Sequence, residues 1–125
     1  MQRDDAYLLD MLLAARRVAR YTSGLTREAF AGDDIRQDAV MRQLQIIGEA
    51  ARALSPALRD SHPEISWQGI IGLRHRLVHH YFRIELERIW RVVEEHVPVL
   101  ISQLERLVAP DEPQEEVSGG NNLPK

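Results

Sequence analysis

Apolar residues recur at helical spacing over most of the chain. Tyr7, Leu8, Met11, Leu12, Ala15 and Val18 fall on one face of a first amphipathic helix. It is predicted to start near Asp4, whose carboxylate can cap the free N–H groups of a first turn. Thr22-Ser23-Gly24 is turn chemistry and should end it. A short helical turn follows, with Thr26 as its cap and Glu28 in its first turn. Val40, Leu44, Ile47, Ala51 and Leu54 step by four and three, predicting a second long helix from Asp33 or Asp34 to Leu54. Ser55-Pro56 ends it, because the residue before a proline is pushed out of the helical region.

Residues 56–64 read as a connector with a single turn over 57–60. Ser66 is the predicted cap of a third helix running from Trp67 to about His79. A fourth should begin near Ile84 or Glu85, with a stripe of Leu86, Trp90, Val93, Val97, Leu100, Leu104 and Leu107. Pro98 sits inside that stripe and should kink or split the helix. Nothing alternates with the period of a strand. The expected fold is therefore all-α: an antiparallel four-helix bundle, five with the short extra turn. Stripes this regular can also be buried against a second copy, which predicts a dimer. Trp67 and Trp90 are expected as core anchors.

At 125 residues the chain is one domain's worth. We place a helical domain over 1–108. From Ala109 onward Pro, Glu, Gly and Asn dominate, so 109–125 is expected to be an acidic disordered tail. With no cysteine, disulfides and thiolate–metal sites are excluded. No apolar run approaches the roughly 20 residues that span a bilayer. The N-terminus shows no apolar core of a signal peptide, so the expectation is a cytoplasmic protein with no membrane contact.

The net charge of -3 argues against a nucleic-acid partner until its distribution is considered. Asp111, Glu112, Glu115 and Glu116 lie in the tail, and without it the chain is neutral. Between 74 and 91, Arg74, Arg76, Arg83, Arg88 and Arg91 face only Glu85 and Glu87, with three histidines interleaved. Such a patch can hold a phosphate backbone, with Arg76 and Arg83 as candidate RNA contacts. It can equally be a solvated arginine-rich face.

The densest chemistry is Arg74-His75-Arg76-Leu77-Val78-His79-His80-Tyr81. Arg74 and Tyr81 are two turns apart and share a stripe if the helix continues that far. Arg74 and His79 are five apart, about 140° around an ideal helix. They converge only if the helix loosens or a second chain brings its own copy alongside. Arginine plus histidine suits RNA cleavage. The 2′-hydroxyl is a built-in nucleophile, an imidazole moves protons near neutral pH, and a guanidinium steadies charge on phosphate oxygens. No metal is needed.

Arg74-x4-His79-x-Tyr81 resembles the R-x4-H-x-Y motif of HepT-like toxins of the HEPN superfamily (domain-of-unknown-function family 86). The flanking blocks resemble that family in the same order: Leu25-Thr26, Asp38-Ala39-Val40, Ile46-Ile47-Gly48-Glu49-Ala50-Ala51, Pro63-Glu64-Ile65-Ser66-Trp67, Ile70-Ile71-Gly72-Leu73-Arg74 and Leu77-Val78-His79. The likeness spans about 4 to 107. It implies a HEPN-type bundle and a metal-independent endoribonuclease, the toxin of a type VII-like toxin–antitoxin system. It implies Arg74 and His79 as catalytic residues in a groove shared by a homodimer. It also implies Tyr81 as the tyrosine that a cognate MntA-type nucleotidyltransferase antitoxin AMPylates. His75 stands where the family often has Asn, and either helps in catalysis or lines the groove. Glu49 either pairs with Arg74 across helices or packs between them.

Other readings remain at this stage. His75 and His79 at i, i+4 could chelate a metal, but there is no HExxH and no third ligand nearby, so neither a metal nor another cofactor is expected. His80 reads as a surface residue. A non-catalytic HEPN module, binding nucleotide or RNA or acting as scaffold for a nucleotidyltransferase, needs the same arginine.

Overall fold

The computed structural model describes residues 2–108; the tail expected over 109–125 lies outside them. Helix α1 (Gln2–Tyr21) buries Leu8, Met11, Leu12, Ala15 and Val18. It begins upstream of Asp4, which corrects the expected cap. Already inside the first turn, the Asp4 carboxylate turns away and accepts from Ser55 N at 2.9 Å and Ser55 Oγ at 2.7 Å. These bonds, the side-chain one foremost, hold the Asp4 carboxyl below its ordinary value. They also join the start of α1 to the end of the next long helix, so the two run antiparallel. Gly24, at φ 72°, makes the left-handed turn after α1.

Thr26 accepts from Ala29 N and caps the short helix α2 (Arg27–Ala31), as predicted. Its Phe30 packs 5.3 Å, ring to ring, from Trp90. Asp33 accepts from Arg36 N and caps α3 (Asp34–Ala53). The connector holds more order than expected. Ser55 Oγ accepts from Leu58 N and starts a helix, α4 (Pro56–Ser61), with proline at its first position.

Helix α5 (Trp67–His79) occupies the predicted span. Ser66 is its N-terminal flanking residue but makes no side-chain cap bond. Trp67 is buried instead with its indole N–H on His62 O at 2.9 Å. After His79 the chain forms a 3₁₀ turn (Tyr81–Arg83) and then α6 (Leu86–Arg91). Pro98 divides the last helix as expected. A π turn (Val92–His96), closed by Val97 N–H on Val92 O, separates α6 from α7 (Val97–Leu107).

The long segments are α1, α3, α5 and the α6–α7 pair. Helix α3 lies between α1 and α5, while α7 packs on α1. One core of Met11, Val18, Phe30, Leu54, Leu77, Ile89 and Leu104 runs through all of them. Among the described residues there is no strand, and no helix is long and apolar enough to cross a membrane.

Candidate active site

Helix α5 turns Leu73 and Leu77 into the core, and this fixes where every other side chain points. At about 100° per residue, Arg74 faces the α3 side, Val78 and His75 follow, His79 points to solvent, and Arg76 faces α6.

Arg74 is pressed against α3. A Cβ on Gly48 would lie 2.2 Å from Arg74 Cβ and 3.1 Å from Ile70 O, so the helices meet where α3 has no side chain. That contact leaves only 18% of the Arg74 side chain exposed and brings its Nη2 to 3.7 Å from Glu49 Oε2. The cross-helix pairing of Glu49 is thereby the reading that holds. Arg74 Nε is buried without a hydrogen-bond partner. The guanidinium is therefore fixed at its base and retains donors for an anion.

His79 is exposed in the last turn of α5. Its ring lies 4.4 Å from that of His75, and His75 lies 6.5 Å from His80. The three histidines form one exposed cluster. Among the described residues no hydrogen bond or ion pair joins Arg74 to His79. They lie about 140° apart around α5, Arg74 at the edge beside α3 and His79 near the middle of the exposed face, with Val78 and His75 between them. No group of three or more His, Cys, Asp or Glu could hold a metal ion among the described residues.

Tyr81 does not continue the stripe of Arg74, because α5 stops at His79. The 3₁₀ turn carries Tyr81 toward α3 instead, where its hydroxyl donates to the Asp38 carboxylate. This bond, aided by partial burial and the negative charge, raises the Tyr81 pKa above 10. Sequence reasoning gave Asp38 no role. A signal was present: Asp38 and Glu49 are eleven residues apart, three helical turns, and so share one edge of α3. Glu49 takes Arg74 and Asp38 takes Tyr81. Arg76 and Arg83 do come together, around an open cavity of about 320 Å³ that His80 and Arg88 also line.

Residues 11–107 match the family model described as ribonuclease HepT-like. The chain belongs to the HepT-like ribonuclease family. A Methanocaldococcus jannaschii protein named "Putative RNase MJ0127" is 35% identical over 113 residues, 90% of this chain and 93% of that one. "Probable ribonuclease HepT" of Thermococcus cleftensis is 35% identical over 101 residues, 81% of this chain and 92% of its own. No solved structure matches the chain. HepT-like membership agrees with the all-helical bundle and the HEPN resemblance of the sequence.

Proposed function

We propose that this HepT-like protein is a metal-independent endoribonuclease, the toxin of a toxin–antitoxin pair, working as a homodimer with Arg74 and His79 as its catalytic residues. One observation carries the reading. Arg74 is held by Gly48 and Glu49 at one edge of an exposed helix face, and His79 stands exposed on the same face. The strip between them holds His75 and an apolar Val78 where solvent should favour polar groups, and further exposed apolar residues occur just after α5 and at the start of α3. Val78, Phe82 and Ile35 are exposed, Phe82 at 96%. Two copies meeting through that strip set Arg74 of one beside His79 of the other.

Arg74 then orients the scissile phosphate and stabilises the charge gathering on its oxygens. The RNA 2′-oxygen bonds to phosphorus as the bond to the 5′-oxygen breaks. The proton lost by the first oxygen passes through the His79 imidazole to the second. The products are a 2′,3′-cyclic phosphate and a 5′-hydroxyl, and DNA is not cut. His75 supports His79 as its ring neighbour.

Tyr81 is the proposed switch. Its hydroxyl already points its proton at Asp38, so a nucleotidyltransferase can join that oxygen to the α-phosphorus of ATP while Asp38 takes the proton and pyrophosphate leaves. The added phosphate and base would stand beside the RNA groove and block it.

The test is complementation. Arg74→Ala and His79→Ala are each expected to abolish EDTA-resistant cleavage. When the two are mixed and re-equilibrated, half the dimers carry one intact shared site, returning about a quarter of wild-type activity. An unmodified wild type that leaves RNA uncut would refute the ribonuclease reading. Active single variants, or a mixture that stays inactive, would refute the shared site.

A further inference from the structure

Past Arg76 the surface opens into a groove between α5 and the helix that follows it. Its cavity holds about 290 Å³. Ile70, Leu73 and Val92 form an apolar floor, while Arg76, Arg88 and Arg91 stand on the rim, and no acidic side chain lines it. Arg76 Nε is buried there without a partner. Among the described residues none of these three arginines makes an ion pair. Arg88 and Arg91 are one turn apart on α6, where like charges repel. An anion lying between them would offset that repulsion.

The groove does not end at Arg88. Arg76 and Arg88 also line the cavity that reaches Arg83 and His80, where Glu85 is the one acidic lining residue among the four basic ones. The cations therefore form a track rather than a single pocket for one headgroup. His79 lies about 60° from Arg76 around α5, so the track leaves the candidate active site directly. It also lies on the far side of α5 from the apolar strip of Val78, and a dimer formed through that strip leaves it open.

A chain carrying several anions with flat apolar groups between them fits this surface. We infer that the α5–α6 groove binds single-stranded RNA beside the scissile phosphate, with backbone phosphates on Arg76, Arg88 and Arg91 and one base seated on Ile70, Leu73 and Val92. The inference rests on the ribonuclease reading and adds a base-recognising subsite to it. Selection of the cleavage position then begins in this groove.

The experiment uses the full chain and a fluorescent 2′-O-methyl RNA, which lacks the nucleophile and cannot be cut. Anisotropy is followed across a range of salt. Arg88→Ala and Arg91→Ala should each weaken binding about threefold to tenfold and lower the salt slope by about 0.7. Val92→Phe, filling the floor, should weaken binding to a similar degree with the slope unchanged, because no phosphate contact is lost. Ile70→Ala is the companion variant if Val92→Phe fails to fold by circular dichroism.

Unchanged affinity and slope in the Arg88→Ala, Arg91→Ala double variant would overturn the inference. So would dodecyl phosphate binding wild type more tightly than the RNA and losing that binding in the double variant. Failure of the two readings is distinguishable. An inert wild type whose slope still falls with each arginine removes the nuclease and keeps the groove, while full cleavage with an unmoved slope does the reverse.

Discussion

Exchanging Gly48 for alanine adds a single methyl group where α3 meets Arg74. The new carbon would lie 2.2 Å from Arg74 Cβ and 2.9 Å from Arg74 Cγ. Ordinary carbon contacts begin near 3.5 Å, so the helices must part by about 1.3 Å. Both atoms at the closest contact are fixed to their backbones, and no rotamer change relieves it. Overpacking of this kind costs about 1–3 kcal/mol. Alanine recovers about 0.5–1 kcal/mol of it through the better helix propensity. The net loss of roughly 0–2.5 kcal/mol should lower the melting temperature by up to about 10 °C.

The functional loss should be larger than the stability loss. A displacement near 1 Å at the group proposed to orient the phosphate costs on the order of 100-fold in rate. Gly72 supplies the control. It lies inside α5, and a Cβ there meets nothing within 4 Å. Gly72→Ala should therefore raise the melting point by about 2–4 °C through propensity alone. Thermal denaturation and single-turnover RNA cleavage of the two variants decide the matter. A Gly48→Ala protein that melts above wild type and cuts at the wild-type rate would refute the account of how Arg74 is held.

Other variants reach different parts of the structure. Asp4 is held below its ordinary value of 3.8, so the stability it contributes is present above that pH and lost as pH falls through the lower folded value. Melting curves of Asp4→Asn should lie below wild type at neutral pH and converge with it in acid; parallel curves would refute the assignment. Tyr81 is shifted the other way, so its bond to Asp38 stabilises the fold fully below pH 10 and is lost as pH rises through the raised value. Asp38→Asn should bring that phenol back toward 10 in a spectroscopic titration and slow AMP transfer to Tyr81; no change in either would leave Asp38 without a role. Phe82→Glu should shift the protein toward monomer in size-exclusion chromatography and abolish complementation between Arg74→Ala and His79→Ala.

The long helices were legible because each carries an unbroken apolar stripe, and Thr26, Asp33 and Pro56 mark boundaries that the backbone obeys. Asp4 misled because a good capping residue is also a good partner for any exposed N–H, and Ser55 offered two donors in the folded state. Ser66 misled as well, since a capping residue at the right position does not by itself make the bond. At the site, spacing alone separated Arg74 from His79 correctly. It could not show that Gly48 is the seat of Arg74, because that role exists only once two distant helices cross. The partner of Tyr81 was hidden in the same way, forty-three residues away on α3.

Pro98 touches nothing in the groove, yet it governs the shape of one wall. In a regular helix its ring would collide with the Glu94 carbonyl, and it has no N–H to offer that oxygen. Widening the turn at Val92–His96 moves the carbonyl aside and lets the helix carry on. The same widening sets the position of Val92 and His96, which look out over Ile70 and Leu73. Pro98→Ala removes the reason for the wide turn, and tightening there would rewind the helix beneath both residues. A solvent-facing residue outside the groove lining is thus a lever on one wall of the proposed base subsite, open to change without disturbing Arg74 or His79.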